Sequence, residues 1–230
     1  DDTIWESTAE VLSEHCQCII PKIPGSGGSD CLPGSPSIID FAEVMHQLLL
    51  HEKFQQCTFI GHSMGGYIAL AFAQQYPDML RALCLFHSSS YADDAMKVET
   101  RQKAIHLIRE KGGMTFLKTA IPGLFYDTEK HRTAIELLLE KATQFTPKAL
   151  IQYYEAMIHR PDTTAVLEKI LIPVYFNLGE HDKAVPFKHG LQQSHLPKHA
   201  HLTILRESGH MGMIEEPEKA IGTLLECIGE

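Results

Sequence analysis

The run Cys57-Thr58-Phe59-Ile60-Gly61-His62-Ser63-Met64-Gly65-Gly66-Tyr67 decides how the chain is read. Apolar residues lead into Gly-His-Ser-Met-Gly-Gly, and the Ala-rich run Ile68-Ala69-Leu70-Ala71-Phe72-Ala73 follows at once. That succession predicts strand, tight turn and helix, and the turn carries G-x-S-x-G, the pattern of a nucleophile elbow. The glycines have a steric reason. A serine at so sharp a turn takes strained dihedrals and pushes its hydroxyl outward, so side chains two residues before and after it would collide with the adjoining strand and helix. Gly61 and Gly65 remove those side chains. The helix that begins after Ser63 aims its N-terminal dipole at the site, which favours negative charge developing there. The flanking strand and helix give the motif its weight, because a bare match carries little.

A serine nucleophile needs a base to take its proton and an acid to orient that base. The apolar run Ile172-Pro173-Val174-Tyr175-Phe176-Asn177-Leu178 reads as a strand, and Asp182 follows it in Gly179-Glu180-His181-Asp182. His201–Leu205 reads as the last strand, and His210 follows it in a loop whose Gly209 and Gly212 allow it to bend over the elbow. The chain order Ser, Asp, His is one this motif uses. Each of the three arrives at the end of an expected strand, where open parallel sheets place their sites. The expected roles are Ser63 as nucleophile, His210 as base, Asp182 as its acid and the Met64 backbone N–H as a donor to the oxyanion.

The remainder of the chain supports a layered architecture. Helical spacing over Ile4–His15 precedes an expected short strand at Cys16–Ile20, which ends at Pro21. A Pro/Gly/Ser loop spans Pro24–Pro36; it lacks the Gly-Lys-Ser/Thr ending of a phosphate cradle and reads as a connection. Ser37 or Asp40 caps a helix with Phe41, Val44, Leu48 and Leu49 on its apolar side. Leu80–Phe86 is a further apolar strand. Continuous apolar strands separated by amphipathic helices predict an α/β fold with a mostly parallel sheet covered on both faces. From Tyr91 to Ala165 strands are missing, and helices are expected near 95–111, 113–120, 129–143 and 147–160. This divides the chain into core residues 1–90, an inserted helical cap at 91–165 and core residues 166–230. Aromatic residues of the insert, among them Phe116, Phe125, Tyr153 and Tyr154, are expected mainly to pack it onto the core, with some lining a pocket.

Composition narrows the partners. The 230 residues carry a net charge of −9, which argues against nucleic acid or an anionic membrane surface. No apolar run has the length of a membrane span. The six cysteines show no disulfide-scaffold spacing, and the expectation is buried free thiols in a reducing, cytoplasmic setting. His62 should pack away from Ser63, His87 should serve structure at a strand end, and His181 should be solvated. His195, His199 and His201 are interrupted by a Leu-Pro turn and have no cysteine beside them, so neither a metal nor another cofactor is expected.

With these residues in place, the chain resembles the α/β-hydrolase superfamily, in particular its capped esterase-like members related to haloperoxidases and pimeloyl-ester carboxylesterases. The resemblance runs through Pro24-Gly25-Ser26-Gly27-Gly28-Ser29, the Gly61–Gly66 elbow, Arg160-Pro161-Asp162 with Leu167, Ile170 and Pro173, Gly179–Asp182 with Val185-Pro186, and Ser208-Gly209-His210 with Glu216-Pro217. It implies the α/β-hydrolase fold and a serine hydrolase that cleaves a carboxylic ester of a small or medium acyl substrate through an acyl-enzyme. Carbon–carbon, amide or thioester cleavage, or ligand binding with little turnover, remain alternatives on the same scaffold. Haloalkane dehalogenase and epoxide hydrolase chemistry is disfavoured, because those relatives carry Asp at the elbow. Lys22 stands where the family usually has Asp, and Ser26 where His is common. The family's His-Gly motif, source of the second oxyanion donor, is missing, and His189-Gly190 lies in the wrong region to replace it. The second donor is therefore expected upstream of Asp1, with the family's early strands, leaving an edge beside the elbow strand.

Overall fold

The computed structural model describes residues 2–229. A 3-10 turn over Asp2–Trp5 leads into helix α1 (Glu6–Leu12). The strand expected at Cys16–Ile20 does not form. A strand exists only where a neighbour completes its ladder, and this segment, closed by Pro21 and Pro24, has none. The sulfurs of Cys16 and Cys18 lie 3.8 Å from each other. Helix α2 (Ile38–His51) starts where sequence placed it. Ser37 Oγ accepts the Asp40 N–H, and the Asp40 carboxylate accepts the Ser37 N–H at 2.7 Å, a reciprocal capping box.

The elbow follows as strand β1 (Cys57–His62) and helix α3 (Met64–Gln75), and then strand β2 (Leu80–Phe86). Helix α3 is buried from Gly66 to Ala73 because it is covered on two sides. Ile68 and Phe72 pack with Phe41 and Met45 of α2. Ala69 and Leu70 pack with Leu83 and Leu85 of β2. Alternation along β2 sends Ala82, Cys84 and Phe86 to the other face, against Leu12 of α1 and the C-terminal helix.

Five helices without a strand come next: α4 (Ala95–Lys111), α5 (Gly113–Ala120), α6 (Arg132–Lys141), α7 (Pro147–Ile158) and α8 (Thr164–Lys169). Their starts have local causes. Asp94 Oδ1 accepts the Lys97 N–H at 2.8 Å, and Thr146 Oγ accepts the Ala149 N–H at 3.1 Å, with Pro147 in the first turn. Helix α8 lies beyond the helices expected from sequence. The α/β pattern resumes with β3 (Val174–Gly179), α9 (Phe187–Gln193), β4 (Ala200–Leu205), the single turn α10 (Gly212–Glu215) and α11 (Pro217–Ile228). The sheet order is β1-β2-β3-β4, every pair parallel, with helices on both faces. Among the described residues β1 pairs only with β2, so the elbow strand is an edge. No described helix is long and apolar enough to cross a membrane.

Candidate active site

Ser63 sits between β1 and α3 with φ 53° and ψ −118°, a conformation costly for a residue with a Cβ. Its backbone is held on every side. The Ser63 N–H donates to Phe86 O at 3.0 Å, and its carbonyl accepts from the Gly66 N–H at 2.9 Å and from Ser88 Oγ at 2.8 Å. The hydroxyl, by contrast, makes no hydrogen bond to the described residues, and the side chain is half-buried. Met64 is the first residue of α3, so its N–H is among those with no acceptor inside the helix.

Gly61 shows why the turn tolerates no side chain there. A Cβ on it would meet the Gly65 carbonyl and lie 2.6 Å from the Gly66 nitrogen, both backbone atoms that cannot swing aside. Gly61→Ala should therefore destabilise the fold by about 2 kcal/mol or more, lowering Tm by roughly 4–8 °C for a chain of this size. An unchanged thermal melt would contradict this account of the elbow.

Asp182 and His210 come together across two loops. His210 Nδ1 and Asp182 Oδ2 are 2.7 Å apart, and both side chains are buried. The other carboxylate oxygen, Oδ1, accepts the Ala184 N–H at 2.8 Å and the Val185 N–H at 2.9 Å. Burial by itself would raise the Asp182 pKa. The His210 charge and hydrogen bond, with the His87 contact, outweigh burial and hold the carboxyl well below the usual carboxylate range. Ser63 is joined to this pair through its neighbour rather than directly: His62 Nε2 lies 2.8 Å from the His210 carbonyl oxygen. No hydrogen bond links Ser63 Oγ to the His210 ring among the described residues. The second oxyanion donor, expected upstream of Asp1, lies outside the described residues.

Three residues that position the site carried no clear sequence signal. His62 packs edge-on against Trp5 and Phe86, as a packing role requires, yet it also holds the base loop. Glu215 is a buried carboxylate whose oxygens accept the N–H groups of Gly209 at 2.8 Å, Met211 at 3.2 Å and Tyr126 at 2.7 Å. It thus grips both residues flanking His210. His87 ends β2 against Asp182, its Nδ1 3.4 Å from Oδ2. The only hints were a His-Ser-Ser-Ser run at a strand end and an acidic pair before Pro217. His181, expected to be solvated, is partly exposed and stacks on the exposed Tyr126 with ring centroids 3.7 Å apart. Tyr153 packs as expected, donating to Pro24 O at 2.8 Å.

The donor atoms of His87, Asp182 and His210 lie within 4.8 Å of one another, a spacing that also suits metal ligands. The 2.7 Å separation of His210 and Asp182 is that of a hydrogen bond. Two ligands on one tetrahedral ion, each at about 2.0–2.1 Å, stand roughly 3.3 Å apart. The pair is therefore arranged around a proton.

The family model described as "alpha/beta hydrolase fold" matches residues 3–109. A thermophilic esterase from Thermogutta terrifontis superposes with a TM-score of 0.93 at 26% identity, over 99% of this chain and 85% of that one. The chain has the α/β-hydrolase fold. The enol-lactonase from Burkholderia xenovorans LB400 has the same fold, with a TM-score of 0.93 at 19% identity over 100% of this chain and 87% of that one. In sequence, RutD of Cronobacter sakazakii, whose name assigns it carbamate hydrolysis, is 22% identical over 93% of this chain and 81% of its own length. Ser63, Asp182 and His210 follow β1, β3 and β4, so β2 separates the elbow strand from the acid strand in the sheet order.

Proposed function

We propose that the chain is a serine hydrolase acting on carboxylic esters of small or medium acyl groups. The observation that carries this reading is the buried 2.7 Å Asp182–His210 pair, whose loop is bound by the residue next to the strained Ser63. In this reading Ser63 Oγ attacks the acyl carbon while His210 Nε2 takes its proton. Asp182 keeps the other ring proton on Nδ1 and stabilises the imidazolium that forms. The Met64 N–H and the N-terminus of α3 face the oxyanion. His210 returns the proton to the departing alcohol, and water then releases the acid from the acyl-enzyme.

We assign helices within 91–165 as a cap over this site, and their contacts with both loops support the assignment. Lys97 Nζ donates to Ala184 O at 2.9 Å beside the acid. The His210 N–H donates to Leu124 O at 2.7 Å. A second reading, carbamate hydrolysis, draws on the likeness to RutD; it uses the same attack on an acyl carbon. Stopped-flow mixing with a chromogenic short-chain ester and its carbamate counterpart separates the readings. The ester reading expects a burst of about one chromophore per chain followed by steady turnover. Faster steady turnover of the carbamate would favour the second, and neither burst nor turnover would leave a ligand-binding protein.

A further inference from the structure

His87 has φ 46°, a left-handed backbone uncommon outside glycine, and its side chain is almost wholly enclosed. The ring is wedged between the two loops that carry the acid and the base. From the acid side, the Gly179 N–H points at Nδ1 across 3.1 Å, and Asp182 Oδ2 lies 3.4 Å from the same nitrogen. From the base side, the Gly212 nitrogen lies 3.1 Å from Nε2. Neither glycine leaves room for a side chain: a Cβ on Gly179 would lie 2.9 Å from His87 Cε1, and one on Gly212 2.5 Å from Nε2.

A neutral imidazole has one N–H and one acceptor nitrogen. With its proton on Nε2, that N–H would face the Gly212 N–H, and the Nδ1 lone pair would face a carboxylate. With its proton on Nδ1, Nε2 accepts from Gly212 and the N–H lies against Asp182 Oδ2. The second arrangement replaces two repulsions, one of them with a carboxylate, by two attractions, at the cost of setting the Nδ1 proton against the Gly179 N–H. Burial disfavours the charged ring and lowers its pKa, with Asp182 opposing and His210 reinforcing that shift.

We propose that His87 is a positioning residue: neutral and protonated at Nδ1, it shares the Asp182 oxygen with His210 and ties the base loop to the acid loop through Gly212. Its kinetic consequence rests on the serine-hydrolase reading above. A second donor on Oδ2 draws off charge that would otherwise face His210. Removing that donor strengthens the hold of Asp182 on protonated His210, so deprotonation of the base requires higher pH. The other titratable groups around His87 are His62 at the end of β1 and Glu216 at the start of α11.

His87→Phe keeps a ring without either nitrogen, whereas His87→Asn keeps an amide N–H able to reach the carboxylate. The acidic limb of the kcat/KM profile should move up by about half to one pH unit in the Phe variant, with kcat roughly tenfold lower. It should return towards wild type in the Asn variant, although that variant loses more packing and melts lower. A limb that follows Tm instead of the retained N–H would overturn the proposal. Nitrogen-15 NMR of the wild-type histidines supplies a test independent of catalysis and of variant folding. His87 should be the neutral Nδ1–H tautomer, and an Nε2–H tautomer would overturn the proposal. Should the wild-type chain show no ester turnover and no labelling of Ser63 by a fluorophosphonate, the hydrolase reading fails while the NMR result still decides the role of His87.

Discussion

Ser63→Ala should lower kcat for a short-chain ester by at least about 10³, with Tm shifted by no more than about 2 °C. The two halves of that expectation come from different parts of one residue. All the bonds that hold Ser63 in place are made by its backbone, to Phe86, Gly66 and Ser88, and alanine keeps that backbone. The hydroxyl makes no bond to the described residues, so its removal costs the fold little and removes the nucleophile. Substrate binding does not depend on Oγ in the same way, so the loss should fall on kcat more than on KM. Ester turnover that survives the substitution would remove Ser63 from the mechanism.

Asp182→Asn should lower kcat by about 10³–10⁴. The Ala184 and Val185 N–H groups already fix which side of the group accepts. The amide oxygen takes that side, and the amide NH2 faces His210 Nδ1. Two donors then oppose each other across 2.7 Å. His210 relieves this by moving its proton to Nε2, and a ring protonated there cannot take a proton from Ser63. The same substitution should reveal a pH-dependent contribution to stability. The Asp182 pKa is lowered in the folded state, so its ionisation stabilises the fold above the unfolded value of about 3.9. That stability is lost as pH falls through this value towards the folded one. The difference in Tm between wild type and Asp182→Asn should accordingly shrink from neutral pH to about pH 3. A gap that stays constant over that range would show that ionised Asp182 does not contribute to folding in this way.

The local features of this protein were legible in its sequence because their causes lie within a few residues. Gly61 and Ser63 define a turn whose sterics need no distant partner, whereas a Cβ on Gly65, expected to collide, would meet nothing within 4 Å. Ser37 with Asp40, and Thr146 with Pro147, start helices by bonds that span three residues. The apolar runs of β2 and β3 announce burial on both faces, and from that follow a parallel sheet and the strand ends at which Asp182 and His210 arrive. The segment 16–20 marks where this reasoning stops: a strand forms only if another strand pairs with it, and among the described residues none does.

Tertiary structure decided which side chains serve the site besides the three that arrive at the strand ends. His62 meets the backbone of His210, His87 meets Gly212, and Glu215 meets Tyr126, all far apart in the chain. Each is a polar group at least partly buried, whose role is set by the donor or acceptor that folding places against it. A sequence specifies the donors and acceptors it carries and the periodicity that buries them. Which of them pair depends on loop paths that no local pattern encodes, so His87 reads as an ordinary strand-end histidine until the acid and base loops close around it.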